Sequence, residues 1–434
     1  MKKAYTVSEM PNAFRAEPLE AADMARFYED TMLVRTGQEG ESPIEDIYER
    51  CCEPQRRNAS LLMGHMGCGK STELNRLAER LIDEGRPAHI VYCNQEVDGG
   101  DKTFPDVMIL MADALLRLAE ENDCELNEED LETLRTFWTS SLEKEDIVFD
   151  GTELAVNAGG ALKAPLLPGL LKLFANLKAG LKYNVESREI YREQVLRRNS
   201  QWLGAVNRVA DQITEKTGSQ PIIIFEDLDK GETWDVFSGH GSQLTGVTFP
   251  VVYTFPIGYY YSPDFAEIDS FFHVNRLPMI KTANIDGSPN PKGHAIIRAI
   301  VERRADPTLF ADGVLDSMID RTGGCLRHLF RAISKAAILA RRLNKTQVTA
   351  ELADRALTEI KSDLSARVEG KEHDFLKEVA GGRHREIDDK PTLLRMMQAL
   401  TVLEYNGERW YDVHPLMKEY LREIKKLPKE SHEG

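Results

Sequence analysis

Residues 64–72 read Gly-His-Met-Gly-Cys-Gly-Lys-Ser-Thr. Glycine tolerates positive φ and has no Cβ, so Gly64, Gly67 and Gly69 can bring backbone amides close to a ligand. Amides that open a helix, reinforced by its dipole, favour an anion. Lys70 adds a full positive charge, and Ser71 adds a hydroxyl suited to Mg²⁺. The spacing is G-x-x-x-x-G-K-[ST]. It makes Gly64, His65, Met66, Gly67, Cys68, Gly69, Lys70, Ser71 and Thr72 a candidate cradle for nucleotide phosphates.

Such a cradle needs a strand before it and a helix behind it. The run Ala59-Ser-Leu-Leu-Met63 predicts a buried strand of a parallel sheet. Leu74, Leu77, Ala78 and Leu81 recur at helical spacing. A second chemical signal lies far downstream, in Pro221-Ile-Ile-Ile-Phe-Glu-Asp-Leu-Asp229. Ligands gather at the carboxyl ends of strands in open α/β sheets. An acid there can hold Mg²⁺, and a neighbouring carboxylate can activate water. Glu226 takes the metal-side position and Asp227 the base position. A further apolar run, Phe249 to Phe255, carries Thr254 near its tip, where a hydroxyl can bond a γ-phosphate or the attacking water. Phe272 to Pro278 reads as the strand that closes the sheet, with Arg276 near its end.

The remaining elements surround these. His89 to Cys93 predicts another strand, and residues 105–120 a helix striped with Val107, Leu110, Met111, Leu115 and Leu118. A capped helix is expected around Glu128 to Trp138, and a long helix from Ser187 to Lys216. Residues 155–182, rich in Ala, Leu, Gly and Lys, read as an inserted packing element. Pro165 and Pro168 are expected to break an amphipathic helix there. Met32 to Gly37 is either a linker or a segment lying against a base. After Pro291 the periodicity becomes helical throughout and the chain locally basic, over Gly293–Arg304, Val314–Arg321, Leu326–Leu343 and Glu351–Leu364. The paired glycines of Arg321-Thr-Gly-Gly-Cys-Leu-Arg-His-Leu-Phe330 end one helix and start the next. Arg327 can reach phosphates from there, with Arg331 one turn on. Near the end, Asn406-Gly407 between two strand-like runs signals a hairpin flanked by helices, the pattern of a winged helix.

Composition sets outer limits. A chain of 434 residues allows about two to four domains. Its six cysteines form no metal-spaced pair, and no secretory leader is evident, which predicts a reducing, cytoplasmic setting. No apolar run reaches the roughly 18 residues of a membrane span. The net charge of −16 disfavours bulk affinity for nucleic acid. In residues 371–434 acids and bases nearly cancel, so DNA is a possible partner that charge does not favour.

Taken together, GHMGCGKS, IIIFEDLD, VVYTFP, GGCLR and the winged-helix-like tail resemble an AAA+-related P-loop ATPase, of the branch shared by origin-recognition-type and STAND signal-transduction ATPases. The resemblance spans residues 30–430. It implies an N-terminal segment (1–42), a P-loop core (43–285, with an insertion over 121–186), a helical lid (286–368) and a winged-helix domain (369–434). By resemblance Lys70 and Ser71 are the Walker A pair, and Glu226 and Asp227 the Walker B acids. Thr254 and Arg327 are the first and second sensors. ATP and Mg²⁺ are the implied ligands. A self-assembling switch acting on a protein partner is the leading expectation. A DNA-engaging ATPase and a non-hydrolysing nucleotide scaffold are the alternatives. Two departures stand out. Glu replaces the usual Asp at position 226. No arginine lies between Asp229 and Thr254, which leaves Arg276 as the candidate finger.

Overall fold

In a computed structural model, the described residues are 1–53, 58–97, 100, 102–142, 166–183, 192, 196, 199–231, 233–382, 387–405 and 410–428. Five strands form one sheet: β1 (Ala59–Gly64), β2 (Ala88–Tyr92), β3 (Ile222–Glu226), β4 (Val251–Pro256) and β5 (His273–Arg276). Every neighbouring pair is parallel, in the order β2-β3-β4-β1-β5. The strands β1, β3 and β4 are buried along their whole length, as a sheet covered on both faces requires. Their sequences, ASLLMG, IIIFE and VVYTFP, are continuous apolar runs for the same reason.

This order places the chemistry. All five strands run the same way, so Gly64, Glu226 and Pro256 end at one edge of the sheet. β4 lies between β1 and β3, pairing Leu62 with Thr254 and Phe225 with Tyr253. The loop after β1 and the acids after β3 therefore stand on either side of the tip of β4.

The helix Lys70–Asp83 follows the loop and buries Leu74, Leu77, Ala78 and Leu81, the four residues of the predicted stripe. Between β2 and β3 stand the helices Phe104–Glu121, Glu128–Leu142, Leu166–Tyr183 and Asn199–Thr217. The first is buried over nearly its whole surface. Leu166–Tyr183 buries Leu170, Phe174 and Leu177, and its Lys178 reaches Asp113 at 2.7 Å. It is thus a packing element. The break expected at Pro168 does not occur: this proline is the third residue of the helix, in the first turn, where no amide is needed for an i→i−4 bond. Pro165, and the stretch from Ser187 to the start of the helix at Asn199 apart from residues 192 and 196, lie outside the described residues.

Beyond the sheet, helices Pro291–Arg304, Val314–Thr322, Leu326–Arg342 and Ala350–Ser365 form a helical layer. The chain start joins it, since Ala4 bonds the carbonyl of Arg304 at 2.8 Å. The tail contains helices Glu372–Ala380 and Lys390–Gln398, the antiparallel pair β6 (Val402–Tyr405) and β7 (Trp410–Val413), and helix Pro415–Glu423. That succession is the element order of a winged helix. The Asn406-Gly407 turn lies outside the described residues. Among the described residues no helix is long and apolar enough to cross a membrane. All six cysteines are free.

Candidate functional site

The phosphate loop turns back on itself through left-handed backbone at Gly67 (φ 82°) and Gly69 (φ 108°). Gly67 is also where the helical layer touches the loop: a Cβ there would lie 2.4 Å from the Cβ of Arg327. Lys70 opens the following helix, and its side chain is buried. Its ammonium donates to the carbonyls of Gly64 (2.7 Å) and His65 (3.0 Å) and pairs with Asp229 at 2.8 Å. Burial by itself would lower the lysine pKa, but Asp229 first, then Cys68 and Glu226, together outweigh this and hold the ammonium above the usual range.

Ser71 donates its hydroxyl to Glu226, which joins the two ends of the predicted metal site. Burial, then the charge of Asp229, raises the Glu226 pKa. Burial would raise the pKa of Asp229 as well, but the charge and hydrogen bond of Lys70, joined by the charge of Lys230, together outweigh it and lower the pKa. Two carboxylate oxygens, Glu226 Oε2 and Asp229 Oδ1, are buried with no hydrogen-bond partner. Among the described residues no group of three His, Cys, Asp or Glu side chains could hold a metal ion. A hydroxyl and orphaned carboxylate oxygens fit a hard cation such as Mg²⁺, which takes one or two protein ligands and completes its shell with phosphate and water oxygens.

A cavity of about 210 Å³ opens above these groups. Its polar end is walled by Gly67, Gly69, Lys70, Ser71, Glu226 and Asp229, and Arg327 reaches in from the helical layer. Its apolar lining includes Leu19, Phe27, Ile300 and Phe330. Arg304 also lines it, with its guanidinium over the Phe330 ring at 4.5 Å. Burial lowers the Arg304 pKa to about 10. Arg327 Nε is buried without a partner. Arg331, one turn on, is instead engaged by Asp363 at the surface (2.9 Å).

The sequence-predicted residues divide around this cavity. Met66, Gly67, Gly69, Lys70, Ser71, Thr72, Glu226 and Arg327 line it; Gly64, His65, Cys68, Asp227 and Thr254 do not. Asp227 takes left-handed backbone (φ 71°) and its carboxylate is held by Lys230. Thr254 uses its hydroxyl on main chain, accepting from Leu228 N (2.9 Å) and donating to the Phe225 carbonyl (3.2 Å). His65 turns from the loop to accept the N–H of Glu404 in β6 (2.8 Å). Arg276 lies against the tail, with its guanidinium over Tyr260 and 3.4 Å from Glu404.

Asp229 and Arg35 are among the cavity residues that escaped the sequence reading. Asp229, quoted in the acidic motif, received no role there because two acids already filled the expected positions. Arg35, within the Met32–Gly37 segment, is buried and donates to the carbonyls of Cys68 (2.6 Å) and Pro278 and to Thr31 (2.6 Å). It thereby holds the loop from behind. Nothing in the local pattern distinguishes it from a surface arginine.

The five-stranded parallel sheet, the glycine-rich loop after its first strand and the acids after its third define a P-loop nucleoside-triphosphatase fold, with a helical layer over the loop. No family model matches the chain, and no curated protein does. Among solved structures it is similar to a Walker-type ATPase of Pyrococcus abyssi, at 14% identity over 94% of this chain and 99% of that one, TM-score 0.47. The ADP form of the Aeropyrum pernix ORC2 protein matches at 12% identity, covering 96% of each chain, TM-score 0.45. Cdc6p from Pyrobaculum aerophilum matches at 10% identity over 93% of this chain and 97% of that one, TM-score 0.36.

Proposed function

We propose that the protein is an ATP-binding and ATP-hydrolysing switch, with residues 43–285 as its core and 286–368 as its lid. The observation that carries this reading is the meeting of Lys70, the Ser71–Glu226 pair and Arg327 at one end of one cavity. Phosphoryl transfer needs positioning and charge neutralisation more than covalent chemistry from the protein. Lys70 and the loop amides bind the β- and γ-phosphates. Ser71 and Glu226 would hold Mg²⁺, which supplies charge neutralisation across those phosphates. The apolar lining receives the base, beside Phe330 and Arg304. Arg327 faces the γ-phosphate from the lid, so the lid senses whether a diphosphate or a triphosphate is present.

The same reading makes the protein a regulator rather than a metabolic enzyme: nucleotide state changes how lid and tail pack, and so which partner is engaged. Assembly with a second copy or a protein partner follows as the output. Phosphate release by the purified chain with ATP and MgCl₂ tests the first half. Lys70→Ala is expected to abolish release and weaken ATP binding, and turnover that survives this change rejects the assignment. Size-exclusion chromatography with and without ATP tests the second half. Duplex DNA added to both assays distinguishes a DNA-engaging ATPase, whose turnover and mass would respond in a salt-dependent manner.

A further inference from the structure

A lysine ammonium has three N–H donors. In Lys70 all three have protein partners: the Gly64 carbonyl, the His65 carbonyl and the Asp229 carboxylate. No donor is left for a phosphate unless one of these partners withdraws. The two carbonyls belong to the loop itself, so Asp229 is the partner able to leave. Its carboxylate already lines the cavity, and one of its oxygens is buried and unpartnered.

The chain around Asp229 is built to aim it. Glu226 ends β3, and Asp227 reverses the backbone through its left-handed conformation. The main-chain N–H of Leu228 is then pinned by the hydroxyl of Thr254 on the neighbouring strand. That reversal turns Asp227 toward Lys230 and brings Asp229 over Lys70. Thr254 is therefore a positioning residue for Asp229. The cavity of about 210 Å³ also falls below the roughly 300–1,000 Å³ usual for a ligand pocket, in keeping with a site whose anion position is already filled.

We propose that Asp229 is an exchangeable internal anion: it holds Lys70 before nucleotide arrives, is displaced by the incoming phosphates, and then serves as the carboxylate that takes the proton of the attacking water. This rests on the reading of the cavity as a nucleoside-triphosphate site. In the step itself the water oxygen bonds to the γ-phosphorus. The bond from that phosphorus to the β,γ-bridging oxygen breaks, and ADP leaves with the electron pair. The water proton passes to Asp229 and from there to the released phosphate. Exchange of one anion for another leaves Lys70 paired throughout, so no buried ammonium is ever left uncompensated.

The test uses the full chain with Asp229→Asn, measuring affinity for a non-hydrolysable ATP analogue by calorimetry and turnover by phosphate release. Removing the competing charge is expected to tighten analogue binding on the order of tenfold, since unpaired Lys70 then gains more from the phosphates. Turnover is expected to fall by about 100-fold or more, the size of a lost general base. Lys70→Ala loses both properties, so the opposite movement of binding and turnover is the signature. A merely structural role would weaken both together. Asp229→Ser also removes the charge and is read the same way should the asparagine variant not fold. Turnover within about threefold of wild type, or weaker analogue binding, overturns the inference while leaving the ATPase reading intact. Wild-type protein that neither binds the analogue nor releases phosphate overturns both.

Discussion

The main-chain N–H of Glu404 donates to Nε2 of His65 over 2.8 Å, joining the phosphate loop to a hairpin 339 residues further along the chain. The same hairpin strand touches two more parts of the site. The Glu404 carboxylate meets Arg276 at the end of β5 and the hydroxyl of Tyr261. Tyr405 donates its hydroxyl to the carbonyl of Gly323 (2.9 Å), in the glycine junction that precedes Arg327. The tail therefore touches the loop, the sheet edge and the glycine junction of the helical layer at once. A change in any of these three has a direct route to it.

His65→Phe keeps a ring in that space and leaves the Glu404 N–H buried without an acceptor. The expected cost is about 1–3 kcal/mol, concentrated in the tail. Amide hydrogen exchange over 402–405 and 410–413 should quicken while the sheet strands keep their protection. Unchanged exchange in the hairpin would show that the bond does not hold it.

Gly67 and Gly85 form a matched pair. Both have positive φ, 82° and 77°, but a Cβ at Gly85 meets nothing within 4 Å, whereas one at Gly67 would lie 2.4 Å from the Cβ of Arg327. Gly85→Ala should cost only the left-handed penalty of about 1–2 kcal/mol. Gly67→Ala carries that penalty and also pushes the helix that bears Arg327 off the loop, so it should lower Tm further and, on the proposed function, weaken ATP binding. Equal Tm values for the two variants would contradict the close approach.

Arg35 is buried, and its guanidinium spans Thr31, Cys68 and Pro278. Burial lowers its pKa. An ammonium cannot reproduce the planar fork, so Arg35→Lys should cost at least about 2 kcal/mol and weaken ATP binding through a loosened loop. Calorimetric Kd and urea unfolding read the two effects, and a variant equal to wild type in both would remove Arg35 from the loop's support.

Three buried histidines make the fold acid-sensitive. Burial, with the charge of Lys70 second, lowers the His65 pKa to about 3, and burial lowers that of His328 to about 3 as well. His414, 3.0 Å from His328, is held well below the ordinary value by burial and by that neighbour. In the unfolded chain each takes up a proton near pH 6.5, while the folded state refuses it. Their contribution to stability is complete above about pH 6.5 and is lost as pH falls below that value, at up to about 1.4 kcal/mol per pH unit for each ring. Urea midpoints measured between pH 7 and 4.5 should drop steeply, and His328→Gln should flatten that slope. A midpoint that does not move with pH would refute the buried neutral rings.

The core elements were legible because each carries a local signature. Continuous apolar runs mark β1, β3 and β4, and the four leucine and alanine positions after Ser71 mark the loop helix. The glycine-rich loop is legible for the same reason: its glycines, lysine and serine lie within eight consecutive residues. The glycine pair beside Arg327 marks the junction that brings it to the cavity. The helix Leu166–Tyr183 was misread at Pro168 because a proline's effect depends on its place in the helix, which composition does not reveal.

Local order in the chain thus determined a glycine-rich loop between strand and helix, a parallel sheet and an acidic strand end, since each is set by residues a few positions apart. Tertiary structure alone decided which acid faces Lys70, because a left-handed Asp227 and a hydroxyl from another strand turn the chain there. It also decided that Thr254 braces that turn and that His65 serves the tail. Those roles depend on partners 26 and 339 residues away, and hydrogen bonds over such spans leave no periodicity in a sequence.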